Sequence, residues 1–140
     1  MSDEADIQAV ISTYSQFASK GDWDVVLRLF LPEAVWEIPH LGLKLEGKAA
    51  IAATMASLKG LMEYVLQLNC PALIAVDGDT ARATSAIREC GKTAGKNEAF
   101  EYLGIYVDEL VRTTEGWKFR YRLFEGIGTQ HFVLTSGVAH

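Results

Sequence analysis

Apolar residues in the first part of the chain recur every three or four positions. Ile7, Val10, Ile11, Tyr14, Phe17 and Ala18 fall on one stripe, which predicts an amphipathic helix over residues 6–18 ended by Gly21. Asp22 stands where it can cap a second, short helix carrying Trp23, Val26, Leu27 and Phe30, with Pro32 as its stop. Residues 34–38 read as a short strand and 39–47 as a loop with a small hairpin around Leu43 and Leu45. Helical spacing returns over 48–61, where Ile51, Thr54, Met55 and Leu58 mark a buried face. The remainder reads as strands over 64–76, 80–90, 100–113 and 117–125. Asp77-Gly78-Asp79 and Glu115-Gly116 supply turns between them, and about 126–140 forms a C-terminal tail ending in His140.

Helices first and a meander after them predict one α+β domain over 1–140. A curved antiparallel sheet packed on the helices then leaves a pocket between the layers. Hydrophobic residues at 49% and charged residues at 22% are proportions that build a core, which argues against disorder. The net charge of −5 and the scattered Lys and Arg give phosphates no basic stripe, so nucleic acid is excluded as a partner. No apolar run approaches the roughly 20 residues of a membrane span, and the acidic start lacks an export signal, so the expectation is a cytoplasmic protein. Cys70 and Cys90 are too few and too far apart for a metal motif and are expected to be reduced and buried.

Several short segments together resemble the SnoaL-like branch of the nuclear transport factor 2-like superfamily, whose relatives include ketosteroid isomerases, scytalone dehydratases and polyketide cyclases. They are Gly21-Asp22-Trp23-Asp24, Leu29-Phe30 with Ala34-Val35-Trp36, Gly47 with Ala50-Ile51, Asp77-Gly78-Asp79-Thr80-Ala81, and the run from Tyr106 to Arg112 ahead of Gly116-Trp117-Lys118-Phe119. The resemblance implies a cone-shaped sheet around helices, a cavity open at one end, frequent homodimers, small apolar ring compounds as ligands, and chemistry without a metal or organic cofactor.

By position, the resemblance to ketosteroid isomerases puts Tyr14 and Asp108 on a substrate oxygen as proton donors, a pairing of the kind the general account of that enzyme describes. The alternatives are core packing for Tyr14 and, for Asp108, a cross-strand ion pair with Arg122 if the hairpin register shifts by one residue. A two-residue turn at Glu115-Gly116 instead puts Asp108 on the side of Tyr106, Leu110 and Tyr121, toward the pocket. The isomerase base falls on Ile38, the dehydratase histidine on Val65 and its partner acids on Ala18 and Ser19, none of which carries that chemistry. His40, just after the first strand, is then the remaining proton carrier, with His131 behind it. Trp36, Asn69, Tyr106, Trp117 and Tyr121 are the expected ligand contacts. Alternation places Lys118, Arg120 and Arg122 opposite the aromatics, on a solvated or dimer-forming face. The reading is a proton-transfer enzyme on an oxygenated ring compound; the alternatives are a binding protein of the same fold and an interaction module.

Overall fold

The computed structural model describes residues 2–135; the end of the expected tail, including His140, lies outside the described residues. The first helix, α1, spans Asp3–Lys20: the Ser2 side chain accepts from the Ala5 N–H at 3.1 Å, and Gly21 closes it in the left-handed conformation at φ 73°. α2 is Trp23–Leu27, capped by Asp22. It stops earlier than expected: Phe30 and Pro32 already belong to β1, Phe30–Ile38. A short 3-10 turn at Pro39–Leu41 leads to β2, Leu43–Glu46, and α3 follows at Lys48–Gly60.

The strand expected over 64–76 is two strands, β3 (Met62–Asn69) and β4 (Leu73–Asp77). Both pair with the same side of β5, Thr80–Thr93. Pro71 has no N–H for a ladder, so the chain breaks there and other groups take over the hydrogen bonding. Asn69 donates to the Ala86 carbonyl at 3.2 Å and accepts from Ser15 Oγ at 2.9 Å, while the Ala72 N–H donates to Gln8 at 2.8 Å. β6 is Glu98–Thr113, and β7 runs through Gly116–Val133, so residues 126–133 are strand where a tail is expected. The alternation of that segment is weak because Gly126 and Gly128 interrupt it, but its backbone pairs with the start of β6.

The seven strands form one open, mixed sheet in the order β2-β1-β7-β6-β5-β3, with β4 beside β5. It is not wholly antiparallel, because β1 runs parallel to β7. The helices cover one face, and Ile7, Ile11, Val26, Phe30, Ile51, Met55, Leu110 and Phe119 fill the space between. Cys70 is exposed and Cys90 half-buried, contrary to the expectation that both are interior. Among the described residues no helix is long and apolar enough to cross a membrane.

The hairpin between β6 and β7 decides what faces inward. Its turn is Thr114-Glu115, flanked by the pair Thr113 and Gly116, and Leu110 pairs with Phe119. Glu109 then pairs with Tyr121, leaving Arg120 as an extra, bulged residue. A single inserted residue reverses the alternation of everything beyond it. Trp117 and Phe119 point inward before the bulge, and Arg122 and Phe124 after it. Asp108 therefore faces Arg122 while remaining on the inward side with Tyr106 and Leu110, and Arg122 is interior, not on the outer cationic face.

Gly91 of β5 pairs with Val65 of β3 on one side and Phe100 of β6 on the other; a Cβ there would lie 2.2 Å from the Tyr64 carbonyl oxygen and 2.8 Å from the Phe100 ring. Gly91→Ala is expected to cost about 2 kcal/mol or more by chemical denaturation. Gly60→Ala, with nothing within 4 Å, is neutral or stabilising by up to about 0.5 kcal/mol.

Candidate functional site

Between the helices and the lower half of the sheet lies a partly open cavity of about 340 Å³. Tyr14 and Ala18 reach it from α1, Trp36 and Ile38 from β1, Met55 and Leu58 from α3. The sheet supplies Val65, Gln67, Glu89, Phe100, Tyr102, Tyr106 and Phe124, because alternation puts these residues on the covered face. The walls are mostly apolar and aromatic, as small-molecule sites generally are.

Of the expected catalytic residues, Tyr14 and His40 line this cavity and Asp108 does not. The Tyr14 ring packs edge-on against Tyr106 at 6.0 Å, and burial pushes its hydroxyl up to about 12, so it is a protonated donor at neutral pH. Burial also drives the Tyr106 hydroxyl well above its ordinary value. His40 stands at the mouth, 5.2 Å from the Phe124 ring and 5.7 Å from Tyr102, and partial burial lowers its pKa, favouring the neutral imidazole. His131 is close by, 3.2 Å from Glu98.

Asp108 is completely buried behind the tyrosines, its Oδ1 3.1 Å from Nε of an equally buried Arg122. Desolvation raises its carboxyl to about 6, against the pull of the guanidinium. The contact is an ion pair without a well-directed hydrogen bond, since no carboxylate oxygen or guanidinium nitrogen of the pair has such a partner. Three aromatic faces surround the guanidinium carbon instead: Tyr106 at 3.6 Å, Tyr14 at 4.1 Å and Phe119 at 4.5 Å.

Among the expected ligand contacts, Trp36 and Tyr106 line the cavity, whereas Asn69, Trp117 and Tyr121 do not. Asn69 is committed to the strand break and to Ser15. Trp117 lies against α1, its indole N–H 3.3 Å from Asp3 and its ring beneath Arg112. Tyr121 is turned outward by the bulge and donates to Glu37 at 2.7 Å.

The residue that the sequence reading missed is Glu89. It shares the inward side of β5 with Ala81, Ala83, Ser85 and Ile87, and a charge on that otherwise apolar parity was the available signal. Cross-strand neighbours are Gln67 on β3 and Tyr102 on β6. Gln67 Nε2 donates to Glu89 at a long 3.5 Å, and among the described residues no Lys or Arg lines the cavity. Glu89 is half-buried and lines the cavity, and desolvation raises its carboxyl to about 7. Its charge reaches Tyr14, Tyr102 and Tyr106. Among the described residues no three His, Cys, Asp or Glu side chains cluster to hold a metal ion.

Residues 1–123 match the family described as the SnoaL-like domain. No curated protein matches the sequence significantly. In fold the chain is similar to a candidate aromatic ring hydroxylase of Novosphingobium aromaticivorans, with a TM-score of 0.86, 23% identity and 93% of each chain covered. It is also similar to a candidate scytalone dehydratase of the same species, at 0.83 and 18% identity, covering 96% of this chain and 93% of that one. A type 2 hexachlorocyclohexane dehydrochlorinase, LinA, gives 0.84 and 17% identity, with 96% and 92% covered. An NTF2-like protein with a cystatin-like fold is a further structural neighbour.

A carboxyl whose folded pKa exceeds its unfolded value binds more protons when folded, so stability falls as pH rises between the two values. For Glu89 that window runs from 4.5 to about 7. Glu89→Gln should therefore be more stable than the parent by about 3 kcal/mol above pH 7, with the difference vanishing toward pH 4. Urea denaturation across that pH range measures it.

Proposed function

Because the chain belongs to the SnoaL-like domain family, we propose that it is a cytoplasmic, cofactor-independent isomerase or lyase that moves a proton on a small, apolar, oxygenated ring compound. The observation that carries this reading is Glu89: a carboxyl with a pKa of about 7, with no cationic side chain beside it, projecting into an apolar cavity that two protonated tyrosines also line. A group titrating near the working pH is suited to general acid–base catalysis. Glu89 takes a proton from the carbon next to a carbonyl, and the electron pair moves onto the carbonyl oxygen. Tyr14 and Tyr106 donate hydrogen bonds to that developing oxyanion. Protonated Glu89 then returns the proton to another carbon, completing an isomerisation, or gives it to a β-hydroxyl as the enolate's electron pair forms the new C=C bond and the C–O bond breaks, releasing water and completing a dehydration. His40 is placed to exchange protons at the mouth.

The second reading, ligand binding without turnover, is favoured by three cavity positions. Ala18, Ile38 and Val65 all line the wall, and these are the places where the resembled enzymes carry acid, base and histidine. Incubating the protein with cyclic ketones and enones in deuterium oxide separates the readings. Proton NMR should show exchange at the carbon next to the carbonyl, with a rate that inflects near pH 7 and drops at least about 100-fold in Glu89→Gln. Ligands that raise the melting temperature of the parent but never exchange would leave binding alone.

We also propose that two copies pair through the outer face of the sheet. The arginines of that face already meet carboxylates of their own chain: Arg88 with Glu101 at 2.8 Å and Arg82 with Glu109 at 3.9 Å. The apolar residues remain uncovered, with Tyr64, Leu66 and Leu68 on β3 each about half exposed and Ile127 more so. Light scattering should give a dimer mass at micromolar concentration and a monomer for Leu66→Glu with Leu68→Lys.

A further inference from the structure

The buried Asp108–Arg122 pair takes no part in the proton transfer just described, yet it stands immediately behind the two residues that do. Both tyrosines show one ring face to the guanidinium carbon, at 3.6 Å and 4.1 Å, and both line the cavity. An arginine keeps its charge at any working pH. None of its nitrogens has a well-directed hydrogen-bond partner, and the charge set directly against it is the Asp108 carboxylate at 3.1 Å. In an interior of low dielectric that field acts through the rings, and a cation against the face of a phenol stabilises negative charge at its oxygen and strengthens its O–H as a donor. Asp108 opposes the effect, and its influence on Tyr14 is smaller than that of Arg122. The remaining charge facing the tyrosines is Glu89, on β5.

We infer that Arg122 is a positioning residue for the cavity, acting through Tyr14 and Tyr106 to make their hydroxyls a receptor for an anionic oxygen on the bound ring compound, an enolate or phenolate. The inference rests on the proposed function for the location of the ligand, but its sign test is independent of turnover. Loss of a merely structural ion pair impairs binding in the same direction whichever partner is removed. An electrostatic role makes the two partners act in opposite directions on an anionic ligand and leaves a neutral one of the same shape unaffected.

The experiment compares binding of para-nitrophenolate and its neutral methyl ether, para-nitroanisole, by fluorescence quenching or calorimetry. It is run above the ionisation of the phenol, in a Glu89→Gln background that removes the competing carboxylate. Arg122→Met should weaken the phenolate about tenfold and Asp108→Asn should tighten it about threefold, with the ether changing by less than about twofold in both. Asp108→Asn leaves a buried cation alone and can fail to fold. In that event the double variant Arg122→Met with Asp108→Leu carries the test, and the phenolate should lose about tenfold relative to the ether. If both probes move together in every folded variant, the pair is structural and the inference falls while the proposed function stands. If neither probe binds the Glu89→Gln protein, both fall.

Discussion

A guanidinium removed entirely from water cannot discharge itself, so its surroundings must supply what hydration did. Around Arg122 they do so with one carboxylate at 3.1 Å and the faces of three aromatic rings. Those rings come from different elements, Tyr14 from α1, Tyr106 from β6 and Phe119 from β7, so satisfying one charge fixes a helix against the sheet. Phe30 of β1 extends the cluster, 5.2 Å from Phe119 and 6.1 Å from Tyr14. Replacing such a pair with apolar residues is often neutral or stabilising, whereas losing one member is costly. The pair thus makes little case for itself as a source of stability. What it does is determine the placement of the two hydroxyls at the inner end of the cavity.

The elements that arise from local patterning were legible in the sequence. The stripe from Ile7 to Ala18, the Asp22 cap, the spacing of Ile51, Met55 and Leu58, and the glycine turns each express a short-range physical rule, and helices and hairpins formed at or near those residues. Features that depend on distant partners were not. Nothing near Phe30 says that β1 will lie parallel to β7, and nothing in 126–133 distinguishes a tail from a strand until the start of β6 is beside it. The bulge at Arg120 had the largest effect on the site. It exchanged the faces of Tyr121 and Arg122, so Tyr121 was expected in the pocket and Arg122 outside it. Glu89 was within reach of parity counting, but its meaning depends on knowing which face of β5 the helices cover.

The cavity wall itself separates architecture from chemistry. Ala18, Ile38 and Val65 line the wall and none of them can carry a proton, so the wall has its shape without chemistry at those three places. The Glu89 carboxyl in the wall comes from β5, with Gln67 of β3 and Tyr102 of β6 as its ladder neighbours. A fold whose inward face is contributed by many strands can carry a reactive group on any of them. Chemistry on such a scaffold has to be read from the residues that reach the space.

The extra residue at Arg120 bears on how this chain is compared with its kin. An alignment that matches β7 column by column assumes a straight strand, and across a bulge that assumption pairs an interior side chain with an exterior one. In a relative without the insertion, the slot held here by Arg122 is inherited by the residue one place nearer the hairpin. Homologous positions on this strand are therefore defined by the partner across the ladder, Asp108 in this case, and a substitution pattern tallied by sequence offset would miss whether the interior cation is retained in that lineage.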